Sequence, residues 1–172
     1  MNPTLAHRLG ITAPVTPLLM KVRRLARGAV VPWLIETANH RGFNAVQRSG
    51  EINGVCPLPQ ELSNEELAVA FLLPALDDEP QSLRLPAQMI SRAAVEIPSL
   101  LHIAECEGAL RLLAALAEEA LYISPMHVVW QAIANAASGQ NALRERLIHW
   151  TRLAEPIMRP RGPHNGEWRL VA

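Results

Sequence analysis

Apolar residues recur every three or four positions along most of this chain, and proline, glycine or Asn-Gly punctuates the runs. Residues 1–15 break that rhythm with Pro3, Gly10 and Pro14 and read as an arm. Thr16-Pro17 is a helix start: a hydroxyl caps, then a proline sits where no amide donor is needed. Leu18, Val22, Leu25 and Ala29 follow as one apolar stripe, with Arg23, Arg24 and Arg27 mostly off it. Gly28 weakens this helix, Pro32 is expected to kink or split it, and Gly42 is expected to stop it. Residues 43–62 are turn chemistry, strongest at Asn53-Gly54, with a weak hairpin signal pairing 43–47 with 52–56.

Ser63 and Glu66 form a capping box, and "ELAVAFLLPAL" after it is apolar nearly all round, as a central helix is. Asp77, Asp78 and Pro80 open another helix, on which Leu83, Ala87, Ile90 and Ala94 share a face and Pro86 is expected to disturb the first turns. From Ile97 to Ala104 the apolar side is Ile97, Leu100, Leu101 and Ala104. From Ala109 to Ala120 it is Ala109, Leu113, Leu116, Ala117 and Ala120, and its centre has moved by about 150°. A straight helix with one buried side cannot satisfy both halves, so a break near Cys106–Gly108 is preferred to a helix buried on two sides, and it leaves His102, Glu105 and Cys106 at a rim near a helix C-terminus. Ser124-Pro125 opens a further helix through "MHVVWQAIANAAS". After the turn at 138–141, "ALRERLIHWTRLAEPI" carries Leu143, Leu147, Trp150 and Ala154 as its stripe, flanked by Arg144 and Arg152.

The expectation is an all-α domain over 1–172 with about six or seven helices. It comprises an arm at 1–15, a helical core at 16–154 with a loop near 43–62, and an extended tail at 155–172 whose apolar end "EWRLVA" is expected to dock. The helices can form a compact bundle or a short array that resembles HEAT-like helix pairs; no sequence repeat supports the array.

Composition narrows the class. The 172 residues are 49% hydrophobic and 19% charged, which excludes a disordered chain. No apolar run reaches transmembrane length, and the N-terminus lacks the order of a signal peptide, so a cytoplasmic protein is expected. Cys56 and Cys106 lie too far apart for a zinc motif or a disulfide framework, and 4% aromatic content is low for a base-stacking sheet.

The net charge of zero hides a pattern. Residues 1–35 carry +5, 36–50 carry +1, 51–119 carry −9 and 120–172 carry +3. Basic ends folded over an acidic middle explain this without a ligand, and a surface for an anionic partner is the alternative. The densest basic stretch is "KVRRLARG", where Lys21, Arg23, Arg24 and Arg27 could meet phosphate, acidic lipid or an acidic helix.

Candidate chemistry is sparse. His102 and Cys106 stand four apart on a helix, and Glu105 could add an oxygen to a metal site. Matching ligands would have to come from another helix: the Glu36/His40 pair, His127 or His149. Buried packing for Cys106 and a surface or capping role for His102 are the simpler expectations. Phosphate-loop, dinucleotide and nucleophile-elbow motifs are absent from the sequence. No cofactor is expected. The reading is a non-enzymatic helical module for protein–protein interaction or self-association. Nucleic-acid or anionic-surface binding through 21–28 is the second reading, and a small helical metalloprotein or enzyme the third.

Overall fold

Thr16 and Pro17 do start a helix. In the computed structural model, which describes residues 15–46, 61–76, 80–144 and 147–158, α1 runs Pro17–Ala26 and the Thr16 hydroxyl accepts the Leu19 amide. It ends at Arg27, whose backbone is left-handed with φ 47°, and α2 follows as Val30–His40. The split therefore falls before Pro32, which was expected to cause it. Pro32 occupies the first turn of α2, where amides have no intrahelical partner and proline does no harm. Gly42, with φ 85°, closes α2: its amide donates to Asn39 O and that of Phe43 to Ala38 O.

The Ser63–Glu66 box opens α3, Asn64–Ala70. The apolar run outlasts this helix, because Pro74 disfavours helical backbone at Leu73. Residues 67 to 73 are nonetheless all buried, so the expectation of a central element holds. A 3₁₀ turn, Pro80–Leu83, leads into α4, Arg84–Ser91. Pro86 sits in the first turn of α4 and is accommodated there like Pro32. Asp77 and Asp78 lie outside the described residues.

The stretch from 97 to 123 is two helices, α5 (Ile97–Cys106) and α6 (Leu110–Ile123). Gly108, with φ 69°, makes the joint: its amide donates to Glu105 O and that of Ala109 to Ala104 O. Each half buries its own stripe, Leu100 and Ala104 on α5, Leu113, Leu116, Ala117 and Ala120 on α6.

α7 is Val128–Ala136, so Ser124-Pro125 forms a turn ahead of the helix and does not cap it. The last helix, α8, is Trp150–Met158. It starts well after Ala142, because Asn141 and Leu143 are already bonded to Arg111 of α6. The Arg111 Nε donates to Asn141 O at 2.7 Å, and the Leu143 amide donates to Arg111 O at 3.3 Å. The buried side of α8 is Leu153, Pro156 and Ile157; Trp150, placed in the expected stripe, is exposed. The helix also runs past the expected boundary at 154, into the residues read as tail. The hairpin's second strand at 52–56, Cys56 and the tail end "EWRLVA" fall outside the described residues.

Among the described residues the regular structure is eight α-helices and one 3₁₀ turn, with no strand. All eight helices contribute side chains to one continuous core. The pairing decides between the two architectures. In a helix-pair array each unit touches only its neighbours. Here α4 packs on α8, α6 on both α7 and α8, and α3 on α5, which is a bundle. Among the described residues, no helix is long and apolar enough to cross a membrane.

Candidate functional site

The basic helix is docked on the acidic middle of the chain. Lys21 Nζ lies 2.7 and 2.8 Å from the two carboxylate oxygens of Glu66. Lys21 is thus engaged within the protein, and the basic set left facing outward is Arg23, Arg24 and Arg27. All three are exposed, and among the described residues none is paired with a carboxylate.

The second tie of α1 is a carboxylate that the sequence reading passed over. Glu107, at the α5–α6 joint, is only 5% exposed. Its Oε1 accepts the Leu18 amide at 3.0 Å, so a side chain from the far side of the chain caps α1. A carboxylate suits that position, where unpaired amides and the helix dipole present positive charge. The other oxygen, Oε2, is buried and has no hydrogen-bond partner among the described residues. Glu107 also lines a cavity of about 130 Å³, together with Thr16, Leu19, Leu73, Pro74, Ala75 and Gly108. One signal in the sequence pointed here: an acid directly before a helix-ending glycine lies where the dipole disfavours it, so it is there for another contact.

His102 and Cys106 do come together, with Cys106 Sγ 3.9 Å from His102 Nε2. Both are exposed, as is Glu105, which is the rim position expected from a break; Cys106 is not the buried packing residue that stood as the simpler alternative to a metal ligand. The break in the chain puts it at a helix end on the rim. Among the described residues no three His, Cys, Asp or Glu side chains gather as a metal site would need. The other candidates are engaged locally. His40 Nε2 is 3.5 Å from Glu36 Oε1, His127 Nε2 is 3.3 Å from Ser91 O, and His149 Nδ1 is 2.9 Å from Thr151 Oγ1.

A third feature was not legible in the helical wheel. Tyr122, at the end of α6, and Trp150, at the start of α8, meet edge to face with ring centroids 6.1 Å apart. Tyr122 is 72% exposed and Trp150 43%; Met126, in the turn after α6, is 82% exposed, and Val128, the first residue of α7, 75%. Arg144 borders this region in ion pairs with Glu118 and Glu119 of α6. No family model, curated protein or solved structure matches this chain, so the reading of its function rests on its own residues.

Proposed function

We propose that this chain is a non-enzymatic helical module that binds another protein, or a second copy of itself, through the face around Tyr122 and Trp150. The observation that supports it is the pairing of two aromatic rings in solvent, with Met126 and Val128, which follow α6 in sequence, also exposed. Tyr, Trp and Met are the side chains that protein interfaces enrich, and aromatic anchors dominate their energetics. The test combines light scattering after size exclusion with affinity capture, for the wild type and for a Tyr122→Ser/Trp150→Ser variant. Self-association, or retention of a defined partner, is expected for the wild type and is lost in the variant. A monomer at high concentration that retains nothing specific, or a variant that behaves as the wild type, sinks the reading.

A second reading is supported by Arg23, Arg24 and Arg27, which are exposed and make no ion pair with a carboxylate among the described residues. Binding of anionic vesicles or nucleic acid through this face would fall steeply with salt and disappear when all three become glutamate. Binding indifferent to that triple substitution removes it.

A further inference from the structure

We infer that His102 and Cys106 are one half of a zinc site that a second copy of this chain completes. The inference adds a metal-dependent contact to the self-association reading. It uses no residue of the Tyr122–Trp150 face, so either can fail without the other.

The pair has the chemistry of a ligand set and not of a packing contact. Cysteine is among the most buried residue types, yet Cys106 is exposed, and so is His102 one turn before it on α5. Cys106 Sγ stands 3.9 Å from His102 Nε2. Zinc bonds of about 2.3 Å to sulfur and about 2.1 Å to nitrogen, opened to the tetrahedral angle, hold the two atoms about 3.6 Å apart. The helix therefore presents both donors within a few tenths of an ångström of the bite that one ion needs, and small side-chain rotations close the difference.

The charge around the pair favours a cation. Cys106 is the last residue of α5, where unpaired carbonyls and the helix dipole are negative. Exposed Glu105 beside it adds to that field. Reactive cysteines sit in electropositive surroundings, and these are the opposite. Thiolate sulfur and imidazole nitrogen select a transition ion over calcium or magnesium, which take oxygen.

Ligand number brings in the second copy. A structural zinc takes four ligands, and among the described residues no third His, Cys, Asp or Glu of the chain gathers with these two. Two-fold pairing places the same patch on both subunits. An ion on that axis meets two imidazoles and two thiolates, which is a complete structural set. Each thiol gives its proton to solvent as it coordinates, and each imidazole uses Nε2 while Nδ1 keeps its proton.

The test uses the full-length protein, freed of metal with a chelator and kept reduced with a phosphine. Zinc is titrated in while light scattering reads the mass. The metal-free mass reports the Tyr122–Trp150 contact, and the zinc-dependent gain reports this one. The mass should double over the metal-free form, saturate at one zinc for every two chains, and return when chelator is added. Cobalt(II) in place of zinc should give the sulfur-to-metal absorption and the intense visible bands of a tetrahedral thiolate site. His102→Ala and Cys106→Ser should each abolish the gain in mass and the bands. Cys56→Ser, which removes the chain's other cysteine, and Tyr122→Ser/Trp150→Ser should leave both in place. Should either ligand variant fail to fold, alkylation of Cys106 by iodoacetamide in Cys56→Ser decides: zinc should slow it severalfold, and an unchanged rate overturns the proposal. So do the absence of a zinc-dependent gain in mass, one ion bound per chain with no gain, or a folded His102→Ala or Cys106→Ser that doubles in mass as the wild type does.

Discussion

Glu107 caps α1 from 89 positions away in sequence, its Oε1 3.0 Å from the amide of Leu18. Local rules place a capping side chain within a few residues of its helix, as Thr16 is here. Glu107 adds a cap that exists only once the fold is assembled, and it ties the first helix to the joint of the fifth and sixth.

Replacing Glu107 with alanine should therefore be severe. The Leu18 amide loses its acceptor in a buried place, and the neighbouring cavity grows. A loss of about 2 kcal/mol or more is expected in urea unfolding, with Glu107→Gln well below that because it keeps an acceptor. Equal losses for the two substitutions would show that the amide contact carries no weight.

Ala93 should be improvable. It is exposed, follows α4, and holds a left-handed backbone with φ 52°, while its amide donates to Ile90 O and that of Ala94 to Met89 O. The same closure ends α2 at Gly42 and α5 at Gly108, so alanine stands where glycine serves elsewhere. Ala93→Gly should raise stability by about 1 kcal/mol, and Gly108→Ala should lower it by a similar amount despite the open space around it. Thermal unfolding of the two variants gives opposite shifts if the backbone term governs, and shifts of one sign refute it.

Ser91 and Trp130 test a buried polar contact. The Trp130 indole N–H donates to Ser91 Oγ at 2.9 Å, between α7 and α4, and both residues are buried. Ser91→Ala leaves that N–H without a partner and should cost about 1–3 kcal/mol, with a change in tryptophan fluorescence. Substitution to threonine, which keeps the hydroxyl, separates loss of the bond from loss of packing.

Glu65 makes part of the stability depend on pH. Burial raises its pKa, but the Glu96 amide, 2.7 Å from Oε1, its own amide, the Ser63 hydroxyl and Arg41 outweigh burial and bring it below the usual carboxylate range. A carboxyl lowered on folding stabilises the fold above its unfolded value, and that contribution is lost as pH falls through the lowered one. The stability gap between wild type and Glu65→Gln should stay constant from about pH 8 to about pH 6 and shrink below about pH 4. A gap that widens in acid would reverse the sign.

How far the sequence alone reaches can be seen residue by residue. The Ser63–Glu66 box, the Gly42 stop and the joint at Gly108 were legible because each is set by neighbours within a turn. The start of α8 was not. Its apolar spacing continues back to Leu143, but Arg111 holds Asn141 and Leu143 in extended contact with α6, and tertiary bonds override periodicity there. Pro32 was misread for a different reason: proline breaks a helix interior but suits a first turn, and which it met depended on where α2 began. Of the candidate groups, the basic face of α1 could be read from the wheel. Glu107 could be read only as an acid ill placed before Gly108; its partner could not, since nothing local joins it to Leu18. The Tyr122–Trp150 pair unites the end of one helix with the start of another, and no spacing rule links them.

The packing of α4 against α8 has a consequence for synthesis. A chain emerging from the ribosome makes α4 long before residues 150–158, so α4 must wait for the partner that covers it. A stalled or truncated chain ending before Trp150 would leave that side of α4 bare to other chains. The bundle is thus sealed late, and a degradation or chaperone system would meet an unfinished product through α4.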